Sequence, residues 1–268
     1  MATGHDTTTT DRGAGSARPR GAQPGRLGAV EAALDAAPAA VPFFFRDDDA
    51  GWGDARLVAL LDRFAARGLP VDLAVIPAEL DAGLARELAA RPGLGLHQHG
   101  FAHVNHEPEG RKCEFGPSRP AERQCADIAA GRERLAGLLG GRVDPVFTPP
   151  WNRCTETTAR CVAEFGFAVL SRESRAEPFG VPGLAELPVS VDWFAHRKGV
   201  RLSPSELGDR LALAIGSGAP VGLMLHHAIM DAADMRRVDD LLGLLAGHER
   251  VRAMPMMRLV ERTSTTAG

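Results

Sequence analysis

Short apolar runs alternate with amphipathic segments along most of this chain, and the connections between them are short. Residues 41–46, 71–76, 94–99, 143–147, 167–170, 186–191 and 221–225 read as strands. The intervening segments 55–67, 79–90, 121–139, 155–165, 203–215 and 232–245 read as helices, with a further short helix at 27–37. In 55–67, Leu57, Leu60, Leu61 and Phe64 share one helical face, and Gly68 stops the run. Arg91-Pro92-Gly93 ends the next helix, and Ser203-Pro204 opens a later one with a cap and a first-turn proline. Strands that alternate with helices pair in parallel through crossovers, so the class is α/β. About seven units in one domain predict a barrel, with an open doubly wound sheet as the alternative. There is no interdomain linker and no internal repeat.

Composition narrows the function. The chain has 268 residues, 44% hydrophobic and 24% charged, with a net charge of −3. That is ordinary for a globular protein with a sizeable core. No basic stripe with interleaved aromatics is present, so no nucleic-acid partner is expected. No apolar run reaches the ~18 residues of a membrane span, so no membrane partner is expected either. Residues 1–26, rich in Thr, Gly, Arg and Pro, read as a disordered tail without the apolar centre of a secretory signal. That predicts a cytoplasmic protein whose folded domain covers 27–262, with a flexible C-terminus over 263–268. Cys113, Cys125, Cys154 and Cys161 form no CxxC pair and are expected to be free thiols.

The unusual polar residues fall at the carboxyl ends of the expected strands. Asp47, Asp48 and Asp49 end the first; His97 and His99 end the third, with His103 and His106 beyond. Trp151, Asn152 and Arg153 follow the fourth, Asp192 and Trp193 the sixth, and His226 and His227 the seventh. In parallel α/β folds that face carries ligands and catalysis. Three adjacent aspartates repel one another and call for water or a cation. His99 and His103, four residues apart, bring two imidazoles to one centre. Two histidines and a carboxylate leave coordination positions open, as catalytic metal sites do. Metal-activated water, a carboxylate base and a separate histidine acid make a hydrolase of acyl bonds. Imidazole and carboxylate suit Zn2+, with Co2+, Ni2+, Fe2+ and Mn2+ as alternatives.

With these residues in view, the stretch from about Phe43 to Asp231 resembles the polysaccharide deacetylase superfamily, the NodB-homology or carbohydrate esterase family 4 type. The resemblance implies a distorted (β/α)7-8 barrel. The family's first motif, a base followed by a metal ligand, is similar to Phe45-Arg-Asp-Asp-Asp-Ala50. It implies Asp48 as base with Asp49 as ligand, or Asp47 as base with Asp48 or Asp49 as ligand. The His-x-x-x-His motif matches His99 and His103 as ligands. The third motif resembles Phe147-Thr-Pro-Pro-Trp-Asn-Arg153 and the fourth Asp192-Trp193; Met224-Leu-His226 or Leu225-His-His227 resembles the fifth, with His226 favoured over His227 as the acid. The arginine that orients the base in the family falls here at Thr148, and Arg46 or Arg153 is left to replace it.

Trp151, Arg153, Asp192, Trp193 and His106 are the expected substrate contacts, with Asp192 also placed to orient His226 or His227. The polar loop 100–120, which carries Glu107, Glu109, Glu114 and Arg119, reads as a functional loop with a solvated charged surface. Its length argues for a small-molecule or carbohydrate substrate over an open polymer groove. Three functions follow: a metal-dependent N-deacetylase of an acetylated amino sugar or similar small amide, a cyclic amide or imide hydrolase, and a non-catalytic binding protein on a degenerate barrel.

Overall fold

The run Phe43-Phe44-Phe45 divides its rings between two cores, and this division organises the molecule. The computed structural model describes Met1 and residues 27–266. The expected disordered tail therefore lies outside the described residues, apart from Met1. The elements are α1 (Gly28–Ala36), β1 (Val41–Ala50), α2 (Asp54–Ala66), β2 (Val71–Val75), α3 (Ala82–Ala90), β3 (Leu94–His99) and α4 (Ala121–Leu139). They continue with β4 (Val143–Thr148), α5 (Glu156–Glu164), β5 (Val169–Leu170), β6 (Ala185–Glu186), β7 (Val191–Asp192), β8 (His196–Arg197), β9 (Val200–Arg201) and α6 (Pro204–Gly216). Last come β10 (Val221–Leu225), α7 (Ala232–Gly247), β11 (Val251–Ala253) and α8 (Met256–Thr266).

The main sheet is parallel throughout, in the order β6-β5-β4-β3-β2-β1-β10-β7, with β11 alongside the start of β1. Its two edges meet in one stretch of chain. Residues 185–187 bond to β5, Val189 bonds to Arg172, and Ser190 and Trp193 bond to Gly222 and Met224. One irregular strand thus closes the curl, and the result is the distorted barrel of the α/β class. β8 and β9 form a separate antiparallel hairpin.

Phe43 and Phe45 face outward into the large core shared with Leu57, Leu60, Leu61 and Phe64 of α2. Phe44 faces inward, with Val146, Val169, Met224, Met256 and Leu259. It lies over Gly222, where a Cβ would stand 2.3 Å from the ring, so only glycine fits. α8 brings Met256 and Leu259 under this interior core. Helix starts are chemically marked. Asp81 caps α3, and Thr155, Ser203 and Asp231 each form a reciprocal capping box with the residue three positions on.

Three features differ from the sequence reading. Helix α8 runs through Thr266, across most of the segment expected to be a flexible C-terminus. Cys125 and Cys161 are joined in a disulfide between α4 and α5, with Cα atoms 5.4 Å apart, while Cys113 and Cys154 are free. The sixth strand breaks into β6 and β7, because it has to pass from one sheet edge to the other. No helix among the described residues is long and apolar enough to cross a membrane.

Asp72 ties β2 to the start of α8. It is buried, and its Oδ2 accepts the Met256 N–H at 3.1 Å. Burial, reinforced by nearby Asp144, pushes its carboxyl up to about 8. An unfolded carboxyl ionises near 3.8, so the folded state keeps a proton that the unfolded state loses. This group's contribution is complete below the unfolded value and falls away as pH rises towards the folded one. Urea unfolding across about pH 4 to 8 should show that decline in the wild type, and Asp72→Asn should flatten it.

Candidate metal centre and adjoining cavity

Strand β1 delivers three aspartates to three different places, and a bulge makes that possible. Pairing with β2 runs Asp47↔Leu73 and then Ala50↔Val75, so β1 carries one extra residue across Asp48-Asp49. Asp49 takes φ 71°, a conformation that non-glycine side chains rarely adopt. Strict alternation would send Asp47 and Asp49 the same way; the bulge separates them.

Asp47 turns out of the barrel. Its Oδ2 lies 2.5 Å from His227 Nδ1, and its Oδ1 accepts the His227 backbone N–H at 3.0 Å. His227 Nε2 lies 2.5 Å from the Trp52 carbonyl oxygen. Burial opposes a charge on His227, but Asp47 and the Trp52 carbonyl outweigh it and push the imidazole up to about 9. Both partners are fully buried. The two alternatives left open by the sequence, Asp47 as base and His227 as acid, thus have their side-chain polar atoms spent on each other and on the Trp52 carbonyl.

Asp48 points into the barrel above Phe44 and meets Arg46 two-pronged: Nε to Oδ1 at 2.8 Å and Nη2 to Oδ2 at 2.9 Å. Arg46 is sealed from solvent, and its remaining donors reach Ser171 Oγ and carbonyl oxygen, Asn152 Oδ1 and Met224 Sδ. Burial pushes the Asp48 carboxyl up, but Arg46, helped by His99 and His226, outweighs it and holds the group below the usual carboxylate range. Of the two arginines the sequence offered for the missing one, Arg46 bonds Asp48, and among the described residues no hydrogen bond or ion pair joins Arg153 to it. At the position of that missing residue, Thr148 accepts the His99 Nδ1–H on its carbonyl at 3.0 Å, and its Oγ1 is 2.9 Å from His97 Nε2.

Asp49 meets the histidine pair. His99 Nε2 and His103 Nε2 lie 3.3 and 3.2 Å from its Oδ1. A carbonyl can only accept, so His99 carries its proton on Nδ1 and turns the Nε2 lone pair towards Asp49. Neither imidazole aligns an N–H with Asp49 Oδ1, which is buried without a hydrogen-bond partner. The three donor atoms converge as a possible metal site. Spacings of 3.2 and 3.3 Å match ligands placed about 2.0 to 2.1 Å from a shared tetrahedral centre. The donor set fits a divalent cation.

The turn from His99 to His103 is held from beneath. Glu114 is fully buried, and its carboxylate accepts the N–H groups of Phe101 and Ala102. Gly100, at φ 55°, leaves room for it: a Cβ there would stand 2.1 Å from Glu114 Oε2. The expected solvated face of the loop 100–120 is therefore wrong for Glu114. The loop is internally tied through Asn105 and Glu107. His103 sits between Trp52 and Trp151, with ring centroids at 4.9 and 4.4 Å.

His226 opens into a cavity of about 360 Å³ that Trp151, Arg153 and Asp192 also line. Its Nδ1 has no hydrogen-bond partner, and Asp192 Oδ1 lies 3.9 Å away, too far to bond. Two expected substrate contacts are not at this cavity. Trp193 is buried in the large core, because the strand end turns it outward among Phe194, Leu202 and Leu207. His106 is exposed on the loop, bound through its backbone to Cys113. A second cavity of about 740 Å³ shares Arg175 and Arg210 with the first, and neither is lined by Asp48, Asp49, His99 or His103; Trp151, which packs on His103, and Asn152, which holds Arg46, connect the first cavity to the metal centre. Trp52 and Ser171 were missed in the sequence, and Asn152 and Glu114 were named without their supporting roles, since no spacing rule links them to the residues they hold.

The two adjacent histidines should separate experimentally. His227→Ala leaves Asp47 buried and unpaired, and should cost about 3 to 5 kcal/mol in urea unfolding at neutral pH. His226→Ala, at a partly exposed side chain without a bonded partner, should stay within about 1 kcal/mol of the wild type.

No protein-family model matches this sequence, and no curated protein sequence matches it. Solved structures do match. A Mycobacterium smegmatis protein assigned as a polysaccharide deacetylase superposes with a TM-score of 0.68 at 17% identity, over 85% of this chain and 92% of that one. A family 4 acetyl xylan esterase from Clostridium thermocellum, solved with a cobalt ion, gives 0.56 at 12% identity, over 83% and 91%. A family 4 carbohydrate esterase from Streptomyces lividans, solved with acetate, gives 0.51 at 17% identity, over 81% and 93%. With its curled parallel sheet and covering helices, this chain has the polysaccharide deacetylase fold, the NodB-homology barrel of the family 4 carbohydrate esterases.

Proposed function

We propose that this protein is a metal-dependent hydrolase of a carbon–nitrogen amide bond, removing an acetyl group from an acetylated amino sugar or a similar small amide. The observation that carries this reading is the convergence of Asp49, His99 and His103 beside an ionised Asp48, with Trp151 packed on His103 and lining the same cavity as His226. A divalent cation bound by those three residues, for which imidazole and carboxylate ligands suit Zn2+, would supply Lewis acidity towards an acyl oxygen and lower the pKa of water. Asp48 serves as general base. Arg46 keeps it ionised while each carboxylate oxygen retains a further lone pair for an incoming proton. His226 serves as general acid and hands a proton to the departing nitrogen. Trp151 forms one wall of the cavity, and its size suits one sugar-sized unit better than a long polymer.

The compartment is part of this proposal. The bridge between Cys125 and Cys161 speaks for an oxidising environment, against the cytoplasmic expectation. Thiol counting on protein denatured without reductant should find two free groups, Cys113 and Cys154; four would restore the cytoplasmic reading.

Acetate release from acetylated amino sugars tests the chemistry. A chelator should abolish it, and a divalent cation should restore it. Asp48→Asn should lower kcat by about 10² to 10⁴. Ring opening of a cyclic imide without acetate release would favour the second hydrolase. Turnover indifferent to chelation and to Asp48→Asn would defeat the assignment.

A further inference from the structure

We propose that the substrate carries an anionic group, phosphate or carboxylate, next to its amide-bearing unit, and that Arg153, Arg175 and Arg210 recognise it. This deepens the amide-hydrolase reading and rests on it. The cavity that reaches His226 is lined by four guanidinium groups, Arg111, Arg153, Arg175 and Arg210, against two carboxylates, Glu173 and Asp192. Asp192 Oδ1 lies 3.9 Å from His226 Nδ1, and Glu173 lies 3.8 Å from Arg111. Among the described residues, no ion pair engages Arg153, Arg175 or Arg210. Glu206, one turn before Arg210 on α6, is already bonded to Arg197 and Ser203.

Nearby arginines outside the cavity are matched: Arg172 with Glu186, Arg197 with Glu206, and Arg201 with Asp234. The unmatched ones come from three separate elements, the turn after β4, the segment after β5, and α6, yet they line one space. Arg153 is the most built of them. Its Nη1 is anchored on the Lys112 carbonyl oxygen, and its Nε is buried with no hydrogen-bond partner. Burial, with Arg111 adding to it and Glu173 opposing, pushes its guanidinium below the usual arginine value. An acidic chain that gathers unpaired guanidinium groups beside its reactive centre has a space that a neutral glycan fills poorly. Planar guanidinium forks match carboxylate and phosphate oxygens in pairs. The metal centre takes the amide, and the arginine wall takes the charge.

The test is equilibrium binding of three probes to the metal-loaded protein at fixed ionic strength: N-acetylglucosamine, its 1-phosphate and its uronic acid. At least one anionic probe should bind about tenfold or more tightly than the neutral sugar. In Arg175→Gln/Arg210→Gln that preference should fall towards one. The tighter of the two anions identifies the source, phosphate or carboxylate. Equal binding of all three probes, or no measurable binding of either anion, would overturn the proposal. So would a preference that survives the double substitution, because coordination to the metal would then explain it. The wild-type comparison stands even if the variant does not fold. Acetate release is followed separately, so anion preference without turnover would count against the hydrolase and not against the arginine wall.

Discussion

A guanidinium sealed inside a barrel is tolerable only if nearly every donor has an acceptor, and Arg46 meets that condition. An unpaired charge at this depth would cost several kcal/mol, so the surroundings of Arg46 are tightly constrained. Asp48 has to be ionised and two-pronged, Ser171 has to present both its hydroxyl and its carbonyl, and Asn152 has to turn its oxygen inward. Those partners come from β1, the end of β5 and the turn after β4. One buried cation thus locks three parts of the barrel rim together and also keeps a carboxylate charged where burial alone would protonate it.

The surrounding backbone is strained where the chemistry is expected. Among the described residues, the non-glycine positions with positive φ are Asp49, His103, Trp151, Asn152 and Lys198. All but Lys198 belong to the metal centre or its wall. Each such conformation costs on the order of 1 kcal/mol or more and persists only where contacts enforce it. The enforcing contacts are visible: the bulge against β2 at Asp49, Glu114 beneath the turn to His103, and Arg46 on Asn152. Trp52 and Trp151 then box in His103, which limits the directions its ring can face.

The alternation of strands and helices was legible in the sequence because it rests on periodicity, and so was the gathering of polar residues at one face. His97 and His99 share the barrel interior as their two-residue spacing requires, while Gln98 turns away to the Gly100 and Ile128 carbonyls. The division of labour among Asp47, Asp48 and Asp49 was not legible. It depends on a one-residue bulge, and nothing in three identical side chains marks where the extra residue sits. Trp193 was misread for a related reason: a strand end that turns back towards the core reverses the expected facing. Glu114 was hidden because loop composition reads as solvated, whereas this carboxylate is buried to satisfy two backbone donors. The disulfide depends on two helices packing side by side, and cysteine spacing alone does not report that.

The hydrolase chemistry depends on whether Asp49, His99 and His103 share one cation. Anomalous diffraction from crystals grown with a divalent zinc salt, collected on both sides of the metal edge, tests that directly. The account predicts a single strong peak within about 2.0 to 2.2 Å of Asp49 Oδ1, His99 Nε2 and His103 Nε2. A peak on Asp48 or His227 instead, or no peak between the three donors at saturating metal, would contradict it.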